Sequence, residues 1–264
     1  MLFIYLLLII EYILYAIMPW MLGKCIDSLL INEIGYFTLY AFLSIGGLLI
    51  GFIRRRLDTR IFSRILLRET LTFFNSMIGK IDASKMLTRL EKIRLFTDFT
   101  ENFLPSLFKA IFYIVVSSIF LFNVMGTWTC IILALMIAST VSSFYLTRKI
   151  ETKIQQSQEQ EEAKNQNMMI GNARNARKSM FKLQKIGVAY SDLQALNWGI
   201  VDMCCIACQL ISIMVLVNLK LTIGDITASL AYVGSLCMHF QVFPQSLEMM
   251  RHLNVASNFL NKQN

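Results

Sequence analysis

From Trp128 to Ile170 the chain reads WTCIILALMIASTVSSFYLTRKIETKIQQSQEQEEAKNQNMMI, and the fold follows from how this stretch is read. No Gly or Pro lies between Gly126 and Gly171, so nothing in the backbone chemistry obliges a helix begun near Trp128 to stop before Gly171. Its character changes midway. Trp128 to Leu146 carries no charge and suits lipid, whereas the residues after Arg148 are rich in Glu, Gln, Lys and Asn and suit water. At ~1.5 Å per residue such a helix is roughly 60 Å long, about twice the hydrocarbon thickness of a bilayer. It has to leave the membrane and continue. The basic segment NARNARKSMFKLQK after Gly171 leads through Gln194 to another apolar run at Trp198. This predicts a helical hairpin that enters one aqueous compartment, turns near Gly171 and returns.

The rest of the 264-residue chain has the same character: 56% of its residues are hydrophobic, the mean hydropathy is +0.56 and the net charge is +8. Soluble domains rarely reach this average, so the class expected is an all-α membrane protein, with residues 1–264 forming one six-helix unit. Six runs are long enough to cross: Leu2 to Leu22, Tyr36 to Ile53, Leu104 to Val124, Trp128 to Leu146, Trp198 to Leu219 and Thr222 to Leu247. Met1 to Leu22 has no basic leading segment and no small-residue cleavage site before Gly23, so it is read as a retained span rather than a signal peptide. Cys25, Cys130, Cys204, Cys205, Cys208 and Cys237 fall in or beside apolar runs, which suits embedded thiols rather than a disulfide framework.

Orientation follows from the connections. Three are short and hold at most one base each, Lys24 being the only one from Gly23 to Gly35. Two are long and basic, with Arg54, Arg55, Arg56, Arg60, Arg64 and Arg68 opening the first and Arg148 to Lys185 enclosing the second. Both long loops are therefore expected to be cytoplasmic, as are both termini. Trp20 and Trp128 fall at outer ends and Trp198 at an inner end, as interfacial belts require. Lys109 lies near enough to an inner end to reach the headgroups. In the first loop Arg56, Arg60, Arg64 and Arg68 recur at i, i+4, beside an apolar stripe of Leu57, Ile61 and Ile65, so this segment also reads as a helix prolonged beyond the membrane. A break at Gly79 and a second helical run from Lys85 complete a second inner hairpin. The basic stripe also fits a nucleic-acid patch or a peripheral membrane helix, but the positive-inside rule already accounts for it, so no nucleic-acid partner is expected.

The order of these features resembles the transmembrane domain of an ABC exporter of the type I fold. Pro19, Leu22, Gly23, Ile26 and Asp27, in MPWMLGKCIDSLL, are similar to that family's end of span one. Leu221, Gly224, Asp225, Ala228, Tyr232, Phe243, Pro244 and Leu247, in LTIGDITASLAYVGSLCMHFQVFPQSLEMM, are similar to its last span. Asn254, Ala256, Ser257 and Leu260 resemble the stretch that leads toward a nucleotide-binding domain. The resemblance implies a homodimer or heterodimer of twelve spans. It also implies that the tips of the inner hairpins, with Gly79, Lys80 and Asp82 in one and Gly171, Asn172, Arg174 and Arg177 in the other, are coupling helices that dock on ATPase subunits. Two departures stand out. The apolar run starts at once, without the family's elbow helix, and no G-x-x-x-x-G-K-[ST] loop or LSGGQ-like signature is present, so these residues cannot hydrolyse ATP by themselves. ATP and Mg would be bound by a partner ATPase, and this chain is expected to hold no cofactor and no metal.

The sequence offers several polar positions for a translocation cavity. Glu11 falls about mid-membrane, where an ionised side chain costs roughly 2.5–3.5 kcal/mol or more. It is either a cation or proton site facing a cavity or a carboxyl packed on a neighbouring span. Asp202 and His239 are placed to approach across neighbouring helices as a pH-sensitive pair, or to reach headgroups and water separately. Gln209 and Gln241 are further cavity candidates. Cys204, Cys205 and Cys208, with Met203 and Met214 nearby, offer soft ligands, but no His or second cysteine motif completes a site and packing explains them. Gly47 and Gly51 make a G-x-x-x-G face for close helix approach, within the chain or between copies.

The function expected is that of an exporter's membrane-spanning subunit, integral to a bacterial inner (plasma) membrane, with an ATPase subunit encoded separately. The alternative is an orphan membrane domain that scaffolds or regulates another membrane complex. An ion-coupled carrier built on Glu11 would leave the long inner arms unexplained.

Overall fold

Away from water, a backbone can satisfy its own N–H and C=O groups within one apolar segment only as an α-helix, so long apolar runs without breakers become helices. The computed structural model describes residues 2–77, 90, 94 and 97–262, and no strand occurs among them. In order they form α1 (Leu2–Leu30), α2 (Gly35–Met77), a π-helical turn (Phe99–Phe103), α3 (Leu104–Met125), α4 (Trp128–Met169), α5 (Ala173–Asn218), α6 (Ile223–Phe240) and α7 (Val242–Lys262). Among the described residues six stretches are long and apolar enough to cross a membrane: Tyr5–Leu30, Gly35–Asn75, Phe99–Met125, Trp128–Met169, Ala173–Asn218 and Ile223–Arg251. Each contains most of one predicted run. Phe42, Met203, Met214 and Val217 are each at least 70% exposed, a surface that suits lipid or another apolar partner rather than water.

The stretch that began the reading is one unbroken helix of 42 residues, and α5 after it has 46. The turn between them sits where glycine allows it. Gly171 has φ +75°, a left-handed conformation that costs a residue with a Cβ about 1–2 kcal/mol. Two hydrogen bonds close the end of α4, from Gly171 N–H to the Met168 carbonyl (3.1 Å) and from Asn172 N–H to the Asn167 carbonyl (2.9 Å). The Asn172 side chain then caps α5 by accepting from Asn175 N–H at 3.2 Å. The tip of the first inner hairpin, with Gly79, Lys80 and Asp82, lies outside the described residues.

The last apolar run differs from expectation. It is two helices, not one, because Pro244 has no N–H to give the Phe240 carbonyl and its ring crowds that carbonyl. The chain therefore closes α6 with the Gln241 N–H on the Cys237 carbonyl at 3.2 Å and restarts as α7 at Val242. Pro105 has a related effect: in the wide turn just before it, the Leu104 N–H reaches five residues back to the Phe99 carbonyl.

The chain divides into two compact units, Met1–Leu135 with Cys205–Val242, and Met136–Cys204 with Phe243–Asn264. In the first unit α1 is the central element, and three of its faces are used. Leu8, Tyr12 and Ala16, at i, i+4 and i+8, are buried with Tyr113 of α3. Glu11, Leu14 and Tyr15, and Met18 lie against Gly51, Gly47 and Ser44 of α2, in that order, so the small-residue face of α2 packs within the chain. A third face meets α6, where the Tyr232 hydroxyl donates to the Ala16 carbonyl at 2.9 Å. In the second unit Ile150 and Ile154 of α4 are buried against Tyr190 and Leu193 of α5.

Candidate functional site

The end of α1 and the start of α6 meet closely enough to exclude side chains. A Cβ added to Gly23 would run into the Gly224 carbonyl oxygen, and one added to Gly224 would run into Gly23 and Asp27. Glycine at both positions lets the backbones touch. The contact is then tied by hydrogen bonds. One oxygen of the Asp27 carboxylate accepts from the Thr222 hydroxyl at 2.7 Å and the other from the Gly224 N–H at 2.8 Å. Thr222 is also the N-cap of α6, accepting from Asp225 N–H at 3.1 Å, so one carboxylate and one hydroxyl satisfy donors that a helix start leaves unpaired. Lys24 pairs with Asp225 at 3.4 Å across the same joint. The residues that carried the resemblance at span one and span six are thus the two halves of one clasp.

Glu11 is buried, and its carboxylate is ion-paired with Arg54 of α2, whose other side binds Asp58 one turn further along. Gly51 leaves room for this, since a Cβ there would sit 3.1 Å from Glu11 Oε1. A buried charge is tolerable when paired and hydrogen-bonded. Arg54 entered the sequence reading only as an orienting base at a membrane edge. Its spacing from Asp58, i to i+4 on one helix, was the available signal for a pair; nothing in the sequence marked Glu11 as its second partner.

The remaining polar candidates differ in their surroundings. His239 of α6 is half-buried with its ring 4.3 Å from that of Tyr113, and the Lys109 ammonium lies 5.7 Å from the same Tyr113 ring rather than simply reaching out. Gln241 donates to Cys205 Sγ at 3.9 Å. Gln209 is exposed on α5, and so is Asp202, which belongs to the second unit whereas His239 belongs to the first. Cys208 and Cys237 donate to the Ile132 and Cys205 carbonyls at 3.7 and 3.8 Å, as packed thiols do. Among the described residues no group of three or more His, Cys, Asp or Glu side chains converges on one point.

In the second unit a polar lock ties α7 to α4 and α5. Glu248 accepts from the Tyr190 hydroxyl and from Gln194 Nε2 at 3.0 Å, and Arg251 pairs with Glu151 at 2.7 Å while its guanidinium lies over the Phe144 ring. The turn at Gly171 is bare by comparison. Met168, Met169 and Ile170 are 54%, 73% and 80% exposed, and Arg174 and Arg177 beside them are exposed too, with Arg177 over the ring of Phe181.

Comparison with known proteins supplies the context. The model of the family described as ABC transporter transmembrane region matches residues 1–229, a span that contains the clasp, the ion-paired layer and the Gly171 turn. No curated protein matches the chain.

Proposed function

The chain belongs to the ABC transporter transmembrane family, and from that premise we propose that it is the membrane-spanning subunit of an ABC-type exporter. In this reading two copies, or one copy and a homologous half, enclose a translocation path. ATP and Mg are held by nucleotide-binding subunits, since these 264 residues contain no phosphate-cradling loop. The long basic arms lie in the cytoplasm, and the cargo moves outward.

The observation that carries the proposal is the Gly171 turn. It stands at the junction of two helices of 42 and 46 residues, it is capped on both sides, and it exposes Met168, Met169 and Ile170 among Arg174, Arg177 and Lys178. A capped turn is stiff enough to transmit a push, and its apolar knob offers a docking ATPase surface to bury. Displacement at the turn passes along α4 and α5 because each is one continuous helix. Gly171, Asn172, Arg174 and Arg177 act as the coupling residues here, and Gly79, Lys80 and Asp82 do so at the other hairpin. Glu11, Gln209, His239 and Gln241, all of the first unit, are the polar side chains from which a cavity wall would be drawn, and Asp202 is a separate polar candidate in the second unit.

Affinity capture of the tagged protein from native membranes in mild detergent, followed by mass spectrometry, tests this. A stoichiometric nucleotide-binding ABC subunit is expected. Replacing residues 172–177 with Gly and Ser should leave membrane insertion intact and abolish that association. Capture of another membrane protein in its place, with no ATPase, would make the chain a scaffold or regulator rather than a transporter subunit.

A further inference from the structure

Beside the ion-paired layer, α1, α2 and α3 leave a groove of about 510 Å³ in the first unit. Leu8 and Ile9, Phe62, and Leu104, Phe108 and Phe112 make its body. From Thr100, in the π-helical turn, to Val115 of α3 the groove runs roughly 20 Å at ~1.5 Å per residue. Its polarity is one-sided. Asp58 and Glu101 are the two charged residues among those lining it, and Glu101 stands in the π-helical turn at the start of that length whereas Val115 of α3 ends it.

The charges at that end do not balance. Arg54 is shared between Glu11 and Asp58, and Glu101 has no ion pair among the described residues. Asp58 binds Arg54 through Oδ2 alone; its Oδ1 is buried and has no hydrogen-bond partner among the described residues. A buried carboxylate oxygen without a donor costs free energy, and a positive charge brought near it lowers that cost. Lys109 is not among the residues that line the groove, and its ammonium lies over Tyr113. Volume, apolar lining and a few convergent polar groups are the ordinary marks of a small-molecule site.

We propose that this groove binds a single-chain amphiphile with a protonated amine head, the ammonium between Asp58 and Glu101 and the hydrocarbon along α3 toward Val115. The ammonium meets the negative charge of Asp58 and Glu101, and an acidic mouth repels an anionic head of the same length. The site is complete within one copy of the chain. It does not rest on coupling to an ATPase, and its test requires none.

The purified chain in phosphatidylcholine nanodiscs is titrated with radiolabelled dodecylamine and, separately, with dodecanol, protein-free discs being subtracted. Saturable amine binding is expected, with dodecanol weaker by about tenfold or more, the worth of one charge-assisted hydrogen bond. Asp58→Asn disturbs the Arg54 pair and risks the fold, so Glu101→Gln is the decisive variant. It should weaken the amine about tenfold and leave dodecanol unchanged, while Ile9→Trp, which fills the groove, weakens both. Equal binding of amine and alcohol, no saturable amine binding, or an unchanged amine affinity in Glu101→Gln would each overturn the assignment. None of these outcomes bears on whether an ATPase associates with the chain.

Discussion

Replacing Gly224 with Ala attacks the clasp where it is tightest. The added methyl would lie 2.6 Å from Asp27 Oδ2 and would also press on the Gly23 carbonyl, a backbone group that cannot swing aside. Overpacking of this kind costs about 1–3 kcal/mol. The methyl also displaces the Asp27 carboxylate from the Thr222 hydroxyl and the Gly224 N–H. Hydrogen bonds to a charged group contribute about 1.5–3 kcal/mol, and the partial exposure of Asp27 and Thr222 puts these at the low end. The loss is about 4–6 kcal/mol, which for a chain of this size lowers the melting temperature by roughly 8–24 °C. The assay is the fraction remaining monodisperse by fluorescence-detected size exclusion after stepwise heating in detergent. Gly46→Ala is the internal control. A Cβ there meets nothing within 4 Å, so helix propensity alone acts and the variant should melt at or slightly above the parent temperature. If Gly224→Ala melted together with Gly46→Ala, the close approach of α1 and α6 would be wrong.

Other perturbations test the remaining contacts. Glu11→Gln should cost about 3 kcal/mol, the low end for breaking a buried pair because Asp58 still faces Arg54. Combining it with Arg54→Gln should cost less than the two single changes added, and strict additivity in the same melting assay would refute the pairing. Tyr190→Phe removes one of two donors to Glu248 and should cost about 1 kcal/mol, rising sharply when Gln194→Leu removes the other. Gly171→Ala forces a Cβ into a left-handed backbone and should cost about 1 kcal/mol. Its effect should appear as faster amide exchange confined to the residues around the turn; exchange unchanged there would contradict the cap.

The hairpin turn was legible because its signals are local: a breaker-free run, then glycine, then a basic segment. The break at Gln241 was not read, although Pro244 signals it, because the apolar composition of Thr222 to Leu247 presented one continuous run. The Glu11 partnership was not legible. Arg54 is 43 positions away, and every base in that loop looked alike as an orienting charge. Nor did any sequence signal say whether the Gly47 and Gly51 face would meet α1 or another copy, because a small-residue face states that something packs there and not what.

Composition and breaker positions, taken alone, determined that this is a multi-pass helical membrane protein, where its spans fall, and that two of them continue as α4 and α5 to a turn at Gly171. Those properties depend on the free energy of each segment in lipid or water, which is a sum over neighbouring residues. The tertiary structure alone decided which faces of α1 meet α2, α3 and α6, that Asp27 ties Thr222 and Gly224, and that Arg54 neutralises Glu11. A helix apolar all round has no preferred inward face in its sequence, so the choice is made by close approach at glycines and by the few buried charges that must find one another.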